Sequence, residues 1–437
     1  MRNLGARVLA ATAAVLLCAA HCAPPAFAVG PPAIDNSLLP PPAPPAPPQP
    51  TRQQESCAVP LSSKNAGTAA PQVAAFDMPA IWRLTRGAGQ RVAVIDTGIA
   101  PHRRLSGVVA GGDYVSGGDG RQDCDGHGTV VAGIIAAAPD PGGTGFTGIA
   151  PEATLIAIRQ SSNKFGPSAD PSSRGFGDVA TLAMAVRTAA DMGASVINIS
   201  SVACTETTLD DRALGAALFY AVDVKDAVVV TAAGNVGGPG QCPAQNAAAK
   251  PAVVASPAWY DDYVLTVAAV GPGGRPSPFS LNGPWVDVAA SGEDVVSLDV
   301  DGEGLVDSMP GPAGPTPISG TSYAAPLVSG LVALVRSRFP RLSARQVMSR
   351  VENTAHHPGT GWDPAVGNGV VDPLAALSDH TAELPTPSSR RIDTPEPGPP
   401  DAGHRYSVAA VAAGLCLAGL AAAGSTRLRR RTDVAGD

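Results

Sequence analysis

Three short segments carry side chains of the kinds that together break acyl bonds. Asp96-Thr97-Gly98 follows the apolar run Arg91-Val-Ala-Val-Ile and puts a carboxylate where a buried strand gives way to a turn. A carboxylate held by a rigid element and partly shielded from water suits the task of orienting an imidazole. Asp125-Gly-His-Gly-Thr-Val-Val-Ala-Gly133 places His127 between two glycines, where a substrate backbone can come close, ahead of a small-residue helix that would hold the ring. Gly320-Thr-Ser-Tyr-Ala-Ala-Pro326 sets Ser322 at the start of a helix whose Leu327, Leu331, Leu334 and Val335 share one apolar face. A nucleophile at that position meets free backbone N–H groups and the positive end of the helix dipole, and both favour an oxyanion. The bland alternatives are an aspartate in an ordinary turn, a histidine in a surface turn and a serine that only caps its helix. The three motifs together weigh against all of them.

Such motifs need a scaffold that brings them together. Short apolar runs at 91–96, 154–158, 195–199, 227–230 and 263–270 read as buried parallel strands, and 130–137, 179–192 and 209–222 read as helices between them. Strands alternating with helices predict an α/β fold of three layers, a mainly parallel sheet covered on both faces. In such sheets a site gathers at the carboxyl ends of the strands. Residues 111–126, 161–177 and 237–250 are rich in Gly, Pro, Ser and Asp and read as long loops.

The chain has 437 residues, 44% of them hydrophobic, enough for one large enzyme domain with tails. Its formal net charge of −7 gives no reason to expect a nucleic-acid partner. The first 28 residues look like an export signal: Arg2 and Arg7, an apolar stretch, and Ala26-Phe27-Ala28 as the cleavage pattern. Residues 29–74 form a Pro-rich extension, which favours polyproline II and has no core of its own, the bland alternative being a linker or spacer. The globular domain is expected over 75–377 and a second Pro-rich linker over 378–405. The uncharged stretch 406–424 is long enough to cross a membrane, and the Arg-rich tail 425–437 places the C-terminus in the cytoplasm. These features predict a single-pass protein of the cell membrane with its domain outside. Four cysteines stand in that exported part: Cys57, Cys124, Cys204 and Cys242. An even number in an oxidising compartment suggests two disulfides, with three connectivities open. The sequence calls for no metal or cofactor, and His356 and His357 read as caps of a turn after a helix.

The order Asp96, His127, Ser322 resembles that of the subtilase family of serine proteases. Ala232-Ala233-Gly234-Asn235 is similar to the segment that gives the family its oxyanion asparagine. The four motifs span 226 residues, with 31, 108 and 87 residues between Asp96, His127, Asn235 and Ser322 in turn. The resemblance implies a subtilisin-like fold in which Ser322 attacks a peptide carbonyl, His127 moves its proton, Asp96 holds His127, and Asn235 with the Ser322 N–H receives the oxyanion. It also implies that Ser200, Ser201, Val202 and Gly234 line the first specificity pocket. Val202 stands where many subtilisins have glycine, so a small P1 side chain is expected.

Within that family the chain resembles the mycosins, membrane-anchored proteases associated with type VII (ESX) secretion. Beyond the overall layout, the resemblance rests on Asp123-Cys124-Asp125-Gly126-His127-Gly128, Ala157-Ile-Arg-Gln-Ser-Ser162, Asn198-Ile-Ser-Ser-Val-Ala-Cys204, Ala355-His-His-Pro358 and Gly369-Val-Val-Asp-Pro373. It implies disulfides Cys57–Cys124 and Cys204–Cys242, protein or peptide substrates, and a type VII membrane complex as partner. The extension is too short and too Pro-rich for a folded inhibitory propeptide, so it is expected to wrap the domain in the mature enzyme. The alternative role is mainly structural, stabilising the secretion complex with proteolysis secondary.

Overall fold

The computed structural model describes residues 30–59, 61–62, 70–140, 145–238, 241–247, 251–311 and 314–379. A seven-stranded sheet runs in the order Val288–Ser291, Leu265–Val270, Val228–Ala232, Val196–Ile199, Arg91–Asp96, Thr154–Arg159 and Val109–Asp113. Every neighbouring pair in it is parallel. Val92 to Ile95, Val196 to Ile199 and Val228 to Val230 are buried at every position, so helices must cover both faces of these strands. His127–Ala136 packs with Thr321–Arg338, and Val179–Asp191 packs with Arg212–Phe219. The α/β arrangement expected from the alternating runs is therefore the one observed.

Register sets the strand ends side by side. Asp96 lies opposite Arg159, Ile95 opposite Ile199, and Ile199 opposite Thr231. The segments leaving the carboxyl ends, Asp96-Thr97, Ser200-Ser201-Val202 and Ala233-Gly234-Asn235, thus emerge along one edge of the sheet.

Several boundaries differ from expectation for local reasons. The helix expected to begin at Val130 begins at His127, because Gly126 adopts a left-handed conformation (φ 81°) and starts the helix early. The stretch 209–222 is a shorter helix, Arg212–Phe219, continued by a π-helical turn over Tyr220–Val224. The folded part also starts before residue 75. Ala70 is fully buried, and the Gln72 side chain closes a two-way pair with the backbone of Val296, donating to its carbonyl at 2.6 Å and accepting from its N–H at 3.3 Å.

The Pro-rich extension lies on the domain. Ile34 and Leu39 pack against the core, Arg187 donates to the Pro40 carbonyl at 3.1 Å, and Ser168 donates to that of Pro50 at 2.9 Å. A Cβ on Gly112 would sit 2.3 Å from the Pro45 ring, so only glycine lets the two chains approach this closely. Thr51–Gln53 then pairs antiparallel with Phe165–Pro167, a strand inside the expected loop 161–177. Among the described residues no helix is long and apolar enough to cross a membrane. The expected export signal and membrane span both lie outside the described residues.

Candidate active site

Asp96 ends its interior strand at the carboxyl end of the sheet and is almost fully buried. Its Oδ1 accepts from Thr97 N–H at 2.7 Å and lies 2.7 Å from His127 Nδ1. That contact fixes Nδ1 as the protonated nitrogen beside the carboxylate and leaves Nε2 as the ring's free base. The ring itself is 28% exposed. Burial pulls its pKa down, but the charge and hydrogen bond of Asp96, with Asp123 and Asp125 behind, outweigh this and hold it above the usual histidine value.

His127 is positioned by a carboxylate that the sequence motif did not single out. Asp123 Oδ1 accepts from Thr97 Oγ1 (2.9 Å), Asp125 N–H (3.1 Å) and Gly126 N–H (2.8 Å). Its Oδ2 accepts from Thr129 N–H (2.8 Å) and Thr129 Oγ1 (2.7 Å). One side chain therefore ties the turn after Asp96 to the first turn of the His127 helix. Thr97 Oγ1 completes the tie by accepting from Gly128 N–H at 2.9 Å. Burial pushes the Asp123 carboxyl above the usual carboxylate range. Five donors converge on it all the same, an arrangement that suits the ionised form.

Ser322 is the second residue of the Thr321–Arg338 helix and is buried. The Tyr323 ring lies 5.1 Å from the His127 ring, centroid to centroid, so the helix start faces the imidazole. Asn235 is fastened to the same helix start: its Oδ1 accepts from Thr321 N–H at 2.9 Å and from Thr321 Oγ1 at 3.1 Å. Thr321 Oγ1 in turn accepts from Gly234 N–H at 3.2 Å. With its carbonyl oxygen occupied, Asn235 turns its amide nitrogen away from Thr321. A Cβ placed on Gly320 would lie 3.1 Å from Ser322 Oγ and 3.5 Å from Asn235 Nδ2, so nucleophile and amide border one small volume.

Of the expected pocket residues, Gly234 adjoins the Asn235–Thr321 contact through its N–H on Thr321 Oγ1, and Val202 adjoins Gly234. Asn198 Nδ2 donates to Ser200 Oγ at 2.9 Å, while its Oδ1 accepts from Ser329 of the Thr321–Arg338 helix at 2.8 Å. Val202 is packed against the core beside Gly234: a Cβ on Gly234 would meet Cys242 Sγ at 2.9 Å and both Leu281 and Val202 Cγ2 at 3.4 Å. Ser201 lies in the same segment, half-buried. The cysteines are joined as Cys57–Cys124 and Cys204–Cys242. The first ties the extension to the turn before His127, and the second crosses the wall of the Gly234 site. His357 lies with Nδ1 2.8 Å from the Asn368 carbonyl and Nε2 3.3 Å from that of Asn353, at the end of the Ala344–Asn353 helix.

Sequence motifs singled out Asp96, His127, Ser322 and Asn235. They did not single out Asp123, Thr97, Thr129 or Thr321, whose roles depend on hydrogen bonds between distant turns. The spacing of Asp123 four residues before His127, across a glycine, was the available signal.

The Subtilase family (Peptidase S8) profile matches residues 87–369. Mycosin-4 of Mycobacterium tuberculosis is 56% identical over 436 residues, which cover 95% of this chain and 95% of that protein. The crystal structure of MycP1 from Mycobacterium smegmatis superposes with a TM-score of 0.76 at 40% identity, covering 83% of this chain and 99% of that one. A chain in the structure of an intact ESX-5 inner membrane complex gives the same TM-score and identity, covering 91% of this chain and 100% of that one.

Proposed function

Because the chain belongs to the subtilase family, and within it to the mycosins, the serine endopeptidases of ESX secretion, we propose that it cleaves peptide bonds through an acyl-enzyme formed on Ser322. The observation that carries this reading is the 2.7 Å contact between Asp96 Oδ1 and His127 Nδ1. It commits the ring to the tautomer whose Nε2 can take the Ser322 proton and then deliver it to the leaving amine. Asp96 stabilises the imidazolium in between. The oxyanion is received by Asn235 Nδ2 and the Ser322 N–H, the latter at the positive end of an 18-residue helix. Ser200, Ser201, Val202 and Gly234 line the site of the residue before the scissile bond, and Val202 narrows it for small side chains.

The enzyme acts outside the cytoplasm as part of a type VII membrane assembly. Support comes from the likeness to a chain of the ESX-5 inner membrane complex and from the export signal and apolar segment read in the sequence. The domain limits read from the sequence are signal 1–28, extension 29–74, peptidase 75–377, linker 378–405, membrane span 406–424 and cytoplasmic tail 425–437, with Ala70 and Gln72 already packed into the peptidase. The same likeness favours a second role, stabilising that assembly independently of proteolysis.

Labelling with a serine-directed fluorophosphonate tests the site directly. The wild-type chain is expected to label and Ser322→Ala to lose the label completely. Equal labelling of both would remove Ser322 as the nucleophile.

A further inference from the structure

We propose that Gly320 is required for the space it leaves empty, and that this space is where the carbonyl of the scissile bond sits during attack. The inference rests on the reading of Ser322 as nucleophile and Asn235 as oxyanion donor.

Gly320 does not need to be glycine for its backbone. Its φ of 161° and ψ of 157° are those of extended chain, which other residues adopt. Its N–H donates to the Gly292 carbonyl at 2.8 Å, and its own carbonyl accepts from Tyr323 N–H at 3.1 Å; a side chain would remove neither bond. The surroundings of a Cβ differ from those at structural glycines nearby. At Gly98 and Gly128 the added carbon would strike a backbone carbonyl oxygen at 2.0 Å and 2.1 Å, and the fold would have to move. At Gly320 the nearest atoms are Ser322 Oγ at 3.1 Å, Asn235 Nδ2 at 3.5 Å and Tyr323 Cδ2 at 3.6 Å, all from side chains. The resting protein could house that methyl with a shift of a few tenths of an ångström at Ser322.

The reacting protein could not. The substrate carbonyl carbon must come within about 3–3.5 Å of Ser322 Oγ before the bond forms. The oxyanion must then lie about 2.7–3.1 Å from Asn235 Nδ2. A methyl already in contact with both groups competes with the carbonyl for that volume. Its bulk displaces the tetrahedral species and leaves the native fold intact.

The test is a double-mutant cycle on the full chain, read by the rate constant of fluorophosphonate labelling and by affinity for a peptide boronic acid with alanine at P1. Gly320→Ala is expected to melt at the wild-type temperature while labelling and boronate affinity each fall by at least 10²-fold, the scale of losing an oxyanion donor. Asn235→Ala is expected to fall by about 10²–10³ on its own. The double variant should fall little below Asn235→Ala, because both changes disable one volume. Labelling of Gly320→Ala within threefold of wild type would overturn the proposal while leaving the Asn235 reading intact, provided Asn235→Ala is slow. Losses that multiply in the double variant would also overturn it, as would a Gly320→Ala chain without a native melting transition. An Asn235→Ala chain that labels at the wild-type rate would sink the donor assignment first, and the proposal with it.

Discussion

At the scale of single residues, His127 decides how the site responds to acid. Its pKa is raised, so the neutral base is recovered only as pH climbs past a value above the ordinary ~6.5 of histidine. Hydrolysis and fluorophosphonate labelling should therefore fall on acidification with an apparent pKa above ~6.5. Asp125→Asn removes one of the charges that raise it and should move that limb to lower pH. A profile flat to about pH 4 would contradict the role of His127. Val202 makes a separate prediction. Val202→Gly removes a three-carbon side chain and should raise kcat/KM for a Phe-P1 peptide relative to an Ala-P1 peptide by roughly 10-fold or more, since a single methylene of pocket is already worth about that much. No change in that ratio would show that Val202 does not shape the pocket. The four chemical residues were legible because each sits in a motif whose neighbours are glycine or small. Their supports were not legible. Thr97, Asp123 and Thr321 are polar residues in turns, indistinguishable in sequence from residues that bond only to water, and the bonds that join separate elements, Thr97 to Asp123 and Thr321 to Asn235 and Gly234, span 26 to 87 residues.

At the scale of elements, the buried strands were readable from unbroken apolar runs, and their ends from the polar residues that follow. The strand Thr51–Gln53 was not readable. Three polar or charged residues after a Pro-rich stretch carry no alternation, and what makes them a strand is main-chain pairing with Phe165–Pro167. The Cys57–Cys124 bond closes the chain between these parts. Its 67-residue separation corresponds to at most about 4 kcal/mol of chain-entropy stabilisation. The paired change Cys57→Ser with Cys124→Ser should lower the melting temperature by several degrees. The loss is expected to show first as proteolytic release of the extension. An unchanged melting temperature would mean the extension is held by its other contacts, among them the Thr51–Gln53 pairing, Gln54 and Glu55 N–H on the Lys164 carbonyl, and Lys164 and Arg174 on Glu55.

At the scale of the whole molecule, the extension is better described as a strap than as the spacer its composition suggested. Proline withholds N–H donors, and a Pro-rich chain has no internal core. It can still lie along a surface that offers donors, as Arg187 and Ser168 do to the carbonyls of Pro40 and Pro50. The mature protein should therefore begin shortly after Ala28. N-terminal sequencing of membrane-extracted protein that returned a start near Ala75 would overturn this. The two proposed roles separate in one comparison: export of type VII substrates in cells carrying only Ser322→Ala. Full export would assign the essential role to assembly, and loss of export with normal protein levels would assign it to cleavage.

The pinning of Asn235 by Thr321 has a mechanical consequence. Oxyanion donor and nucleophile come from elements 87 residues apart, yet the donor is latched to the residue beside the nucleophile. A shift of the Thr321–Arg338 helix would tow the amide along with it. The spacing between attack and charge capture is conserved in lockstep. The distance left unlatched is the one to His127, which another helix carries.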